Sequence, residues 1–151
     1  MTLVRKQGDG EIRVSIGCFH QLYDLCRCER PVYAPDIQFL PIIHENNGIH
    51  EMLKKRNINY IGSELLFTNM DSELATEEYR DKMHRDGKLC WVNTIVYNYK
   101  AVLSAFHSDD TALAGNPEFG WGWCADNFDI IQTDWVGAIS QYLDKTGKRW
   151  R

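Results

Sequence analysis

The sequence has no apolar stretch approaching the roughly 18 residues that a membrane-crossing helix needs, and no apolar run follows the basic Arg5 and Lys6 near its start. We therefore expect neither a membrane span nor a secretion signal. Basic charge is also in short supply. Lys and Arg number 17 against 21 Asp and Glu, a net charge of −4, and no stretch interleaves them with aromatics, so nucleic acid is not an expected partner. Paired cysteines are missing as well: the five are odd in number, and Cys26 and Cys28 are too close to suggest a structural bridge. Reduced thiols and a cytoplasmic location follow as expectations. Cys26-Arg27-Cys28 has no second pair or spaced His to complete a metal site, so no metal ligands are assigned.

What is present is enough apolar residue, 44%, to build a core in one α/β module. Five short runs rich in β-branched and aromatic residues read as strands: Ile12–Phe19, Ile37–Ile43, Ile58–Phe67, Leu89–Val96 and Phe128–Thr133. Helix-like segments alternate with them at Gln21–Cys28, Gly48–Arg56, Thr76–Arg85, Tyr97–Phe106 and Val136–Asp144. Such alternation predicts parallel strands joined by right-handed crossovers. Thr76 before Glu77 and Glu78 is an N-cap followed by an acidic first turn, and His84, Arg85 and Gly87 mark that helix's end. His107–Trp123 reads as an ordered loop at a site, with Trp121 and Trp123 packing it down and Asp109-Asp110 solvated. Residues 1–10 read as an N-terminal extension of the module at 11–151.

Chemistry-bearing residues gather near the ends of the later strands. Alternation places Ile130, Gln132 and Asp134 on one face, and Trp91 with Asn93 on one face of the strand before. Polar tips at carboxyl ends are where parallel α/β folds keep their sites. Asp134 has a second reading as the N-cap of the last helix.

Trp91-Val92-Asn93-Thr94, Gly120-Trp121-Gly122-Trp123 and Ile131-Gln132-Thr133-Asp134-Trp135 resemble the last two strands of the glycerophosphodiester phosphodiesterase barrel and the insertion between them. Tyr33-Ala34-Pro35-Asp36, Phe39-Leu40-Pro41 and Ser63-Glu64-Leu65-Leu66-Phe67 are similar to the preceding strands, so the resemblance spans roughly residues 11 to 144. It implies a partial (β/α)8 TIM barrel of about five parallel strands, falling short of the usual length of about 250 residues. It also implies a phosphoric diester hydrolase of glycerophospholipid metabolism that uses Mg²⁺ or Ca²⁺. The family's Glu-x-Asp and Glu-x-Lys motifs do not occur in this sequence, and the one His-Arg, His84-Arg85, ends a helix-like segment rather than an opening strand, so no catalytic residue is carried over. His20, His44, His50, His84 and His107 sit outside those patterns. What carries over is a substrate wall of Glu64, Trp91, Asn93 and Asp134 for a glycerophosphodiester or glycerol phosphate. The expectation is a shortened form, inactive and cofactor-free alone, that self-associates through open strand edges at Ile12–Phe19 and Phe128–Thr133. Two alternatives stay open: a barrel completed to activity by a second copy or an N-terminal partner, and a binding module that keeps a phosphate or glycerol pocket without chemistry.

Overall fold

Local sequence fixes the helices of this chain and long-range pairing fixes its strands. The computed structural model describes residues 2–4, 40–96 and 102–149. The expected strand Ile12–Phe19, the helix Gln21–Cys28 and the Tyr33–Asp36 stretch lie outside the described residues.

In chain order the elements are β1 (Thr2–Val4), β2 (Ile42–Ile43), α1 (Ile49–Lys55), β3 (Gly62–Leu65), α2 (Glu77–Arg85) and β4 (Leu89–Asn93). They continue as α3 (Asp109–Leu113), a π-helical turn (Glu118–Gly122), α4 (Trp123–Asn127), β5 (Ile130–Gln132) and α5 (Val136–Thr146). The expected cap of α2 is present: Thr76 Oγ1 accepts the Tyr79 N–H at 3.2 Å. Gly87, at φ 68°, ends the helix by returning its N–H to the His84 carbonyl at 2.9 Å.

The sheet runs β1-β5-β4-β3-β2. The four strands β2 to β5 are parallel and lie in chain order without reversal. β3 and β4 approach so closely that a Cβ on Gly62 would stand 2.2 Å from the Leu89 carbonyl oxygen, which restricts that position to glycine. One expectation needs correction. The outer edge of β5 is not open, because Thr2–Val4 pairs antiparallel along it, from Thr2 opposite Gln132 to Val4 opposite Ile130. Thr2–Val4, within the stretch read as an N-terminal extension, is thus a strand of this sheet.

One face of the sheet carries the main core. Ile43, Leu65, Cys90, Val92 and Ile131 pack there against Tyr79 and Met83 of α2, Cys124 of α4 and Ile139 and Leu143 of α5. Arg80, buried among them, donates to the Ala75 carbonyl and to Asn127 Oδ1, at 2.6 and 2.7 Å, and lies over the rings of Trp123 and Phe128. The opposite face holds a smaller apolar group, Leu40, Trp91 and Ile130 flanked by Ile61 and Leu89. Among the described residues no helix is long and apolar enough to cross a membrane.

The segment after β4 departs most from expectation. The described part of the expected helix Tyr97–Phe106 is not helical: Phe67 donates to the Leu103 carbonyl and accepts from the Ala105 N–H, each at 3.0 Å. Ala105 and Phe106 then turn the chain with φ of 49° and 68°. Pairing with a residue far back in the chain overrides local helix preference here. The loop expected over His107–Trp123 is instead largely helical, containing α3 and the π-helical turn and leading into α4.

Candidate functional site

The register of β3, β4 and β5 decides which side chains meet. Glu64 lies opposite Trp91, Trp91 opposite Ile130 and Asn93 opposite Gln132, so all five share the face away from the helices. Asn93 Nδ2 donates to Glu64 Oε1 at 2.9 Å, and Asn93 Oδ1 accepts the Ile95 N–H at 3.0 Å. With both ends of its amide engaged, Asn93 is fixed in orientation. Glu64 is only 4% exposed. Burial raises its carboxyl pKa above the ordinary value, a shift opposed by the Asn93 hydrogen bond and by nearby His44. Trp91 is also buried, and its indole Nε1 has no acceptor among the described residues. An orphan buried donor costs about 1 to 3 kcal/mol, so its presence calls for a reason.

Asp134, the fourth residue expected in this wall, lies two positions beyond β5 and is exposed. It is not the N-cap of α5, a position taken by Trp135 without a side-chain cap. Its backbone N–H donates to Asp109 Oδ2 at 3.2 Å. The structure therefore brings Glu64, Trp91 and Asn93 together and leaves Asp134 at the rim.

Asp109 corrects the reading of Asp109-Asp110 as a solvated pair. Only Asp110 is exposed, whereas Asp109 is buried. The hydroxyls of Thr94 and Thr133 and the Trp121 indole N–H all reach Asp109 Oδ1 at 2.8 Å. Its own N–H donates to the Thr94 carbonyl at 2.9 Å. Ser108 positions it by capping α3, its side chain accepting the Thr111 N–H. One carboxyl group thereby ties the carboxyl ends of β4 and β5 to the inserted helices. Trp121 and Trp123 pack this insertion down, Trp123 by stacking on His107 with ring centroids 3.9 Å apart. His107 Nδ1 donates to the Phe119 carbonyl at 2.7 Å, which leaves the lone pair of the neutral ring on Nε2. Burial lowers the pKa of His107.

A second polar cluster occupies the amino ends of β4 and β5. Asp129 Oδ2 lies 2.8 Å from His84 Nε2 and accepts the Cys90 N–H at 2.9 Å. Buried His50 bridges Asp86 and the Tyr60 hydroxyl.

The Mg²⁺ or Ca²⁺ that the resemblance implies does not fit the Glu64 wall. Hard cations collect several ionised oxygens. Among the described residues of the wall, the buried carboxyl is Glu64 alone, pushed toward its neutral form and bonded to Asn93.

A model of a family described as a domain of unknown function, DUF4996, matches residues 39–143, well over half of the chain. The chain belongs to this family. The matched span contains Glu64, Trp91, Asn93, Asp109 and Asp134, and also the cluster at the opposite end of the strands. No curated protein and no solved structure matches the chain.

Proposed function

We propose that this chain is a glycerophosphodiester phosphodiesterase-like module, the later part of a (β/α)8 barrel, whose inner rim binds a glycerophosphodiester or glycerol phosphate without hydrolysing it. The observation that carries this reading is the orphan Trp91 indole N–H beside the Glu64–Asn93 pair, near the carboxyl ends of adjacent parallel strands. An unpaired donor suits a phosphate oxygen, the Glu64–Asn93 pair suits hydroxyls, and the exposed Asp134 carboxylate at the rim can accept from glycerol. Strand order without reversal, with the main core on one face, supports the barrel reading, since a barrel's interior is the face that its helices do not cover.

Hydrolysis by the mechanism of the resembled family needs an acid, a base and metal-holding carboxylates, and the Glu-x-Asp and Glu-x-Lys motifs that supply those carboxylates do not occur in this sequence. The test is titration with glycerol 3-phosphate monitored by NMR, beside a turnover assay on glycerophosphocholine with Mg²⁺ or Ca²⁺. We expect shifts in the Trp91 indole resonance that weaken in Asn93→Ala, and no turnover above buffer. No response at millimolar ligand would refute the binding site. Metal-dependent turnover lost in Asp134→Ala would refute the non-catalytic reading.

A further inference from the structure

We propose that His84, Cys90 and Asp129 form a site for one cation of the zinc class, a structural staple at the amino ends of β4 and β5. The three donor atoms, an imidazole nitrogen, a sulfur and a carboxylate oxygen, lie within 4.8 Å of one another. Nitrogen, thiolate and carboxylate together are a donor set for Zn²⁺ or Co²⁺ rather than for Mg²⁺ or Ca²⁺.

The backbone brings each donor from a different element and holds it there. Cys90 lies in β4, and its carbonyl accepts the Asp129 N–H at 2.9 Å. Asp129 stands just before β5. His84 sits in the last turn of α2, where the Gly87 return bond fixes its carbonyl. The His84 side chain is 43% exposed and that of Asp129 only 4%, so a cation has a way in and solvent can complete a tetrahedron from the His84 side. The other two donors are sheltered.

Charge decides the class of ion. One thiolate, one carboxylate and a neutral imidazole cancel a dication, so a filled site is neutral where Cys90 is fully buried. Without a cation, burial pushes the Cys90 thiol up and the neighbouring Asp129 carboxylate adds to the shift, so the sulfur keeps its proton. Binding therefore breaks the S–H bond and releases that proton to solvent, shifts the His84 ring proton from Nε2 to Nδ1 by exchange with solvent, and replaces the His84–Asp129 hydrogen bond by metal–nitrogen and metal–oxygen bonds. Arg80 also acts on Cys90, in the direction that favours the thiolate, and its guanidinium is engaged by Ala75 and Asn127. The site lies at the opposite end of the strands from the Glu64 rim and does not depend on the proposed ligand there.

The probe is Co²⁺ added to the reduced full chain, followed by displacement with Zn²⁺. We expect sulfur-to-cobalt charge-transfer absorption and tetrahedral d–d bands saturating near one equivalent, with about one proton released per ion. A rise in Tm with Zn²⁺ should accompany them. His84→Ala, a change at an exposed side chain, should abolish the absorption while leaving the circular dichroism unchanged. The Cys26→Ser/Cys28→Ser double variant should retain it. No charge-transfer absorption in the parent chain, its survival in His84→Ala, or its loss in the double variant would each overturn the site.

Discussion

Replacing Asp109 by Ala tests whether this one carboxyl group holds the carboxyl ends of β4 and β5 in place. The substitution leaves the Trp121 indole N–H, the Thr133 hydroxyl and the Asp134 N–H without their acceptor, whereas Thr94 keeps the Gln132 carbonyl at 2.7 Å. A buried donor left unmade costs about 1 to 3 kcal/mol. Trp121 is buried and bears the full cost, while Asp134 is exposed and recovers water. With Thr133 buried as well, the sum is about 2 to 6 kcal/mol, a large share of the 5 to 15 kcal/mol typical of whole domains. With urea m-values of about 1 to 3 kcal/mol per molar, the unfolding midpoint should fall by roughly 2 M. Asp109→Asn keeps one acceptor oxygen but turns an NH₂ toward one of the donors, so its cost should be intermediate. A midpoint loss in Asp109→Ala equivalent to less than about 1 kcal/mol at unchanged m would refute the role given to this residue.

Glu64→Gln should raise Tm at neutral pH. Burial raises the folded-state pKa of Glu64, so its contribution is intact below the ordinary value of 4.5 and is lost as pH rises through the folded value; melts across that range should show the loss in the parent and not in the variant. His107 behaves in the opposite sense: its lowered pKa means stability is intact above 6.5 and is lost as pH falls through the folded value. His107→Phe, which retains an aromatic ring between Phe119 and Trp123, should remove that acid-side loss while costing about 1 kcal/mol for the missing bond to Phe119. Gly62→Ala should lose about 3 kcal/mol or more, read by urea unfolding, because the clash is with backbone that cannot swing away.

Features whose causes are local were legible in the sequence. Thr76, Glu77 and Gly87 announce α2 because caps and helix ends depend on near neighbours. The shared face of Glu64, Trp91 and Asn93 followed from strand alternation, which holds whichever strands are neighbours. Asp109 was misread because its burial depends on partners 12, 15 and 24 residues away. The local signal was nonetheless there: Ser108 followed three residues later by Thr111, then Ala112-Leu113, is a capped helix start. The segment at 102–106 failed for a similar reason, its backbone bonds being committed to Phe67. His84, Cys90 and Asp129 are scattered in sequence and share no spacing motif, so only the parallel pairing of β4 with β5 and the end of α2 reveal them together.

The two buried tryptophans at this end of the sheet separate a polar group kept for structure from one kept for a ligand. Trp121 and Trp91 are each 3% exposed, so replacement by Phe removes a similar amount of buried ring at both. Their indole nitrogens differ: that of Trp121 donates to Asp109 Oδ1 at 2.8 Å, and that of Trp91 has no acceptor among the described residues. Trp121→Phe therefore loses a hydrogen bond to a carboxylate, about 1.5 to 3 kcal/mol, in addition to the packing loss. In Trp91→Phe the same packing loss is offset by removing an orphan donor, a gain of about 1 to 3 kcal/mol. Trp121→Phe should consequently be the more destabilising by at least about 2 kcal/mol in urea unfolding, with Trp91→Phe near neutral. Equal losses in the two variants would show that the Trp91 N–H is satisfied in solution, and the argument for an acceptor on the ligand would fall with it. If the difference holds and Trp91→Phe also loses glycerol phosphate binding, the unpaired donor is a stability cost retained for recognition.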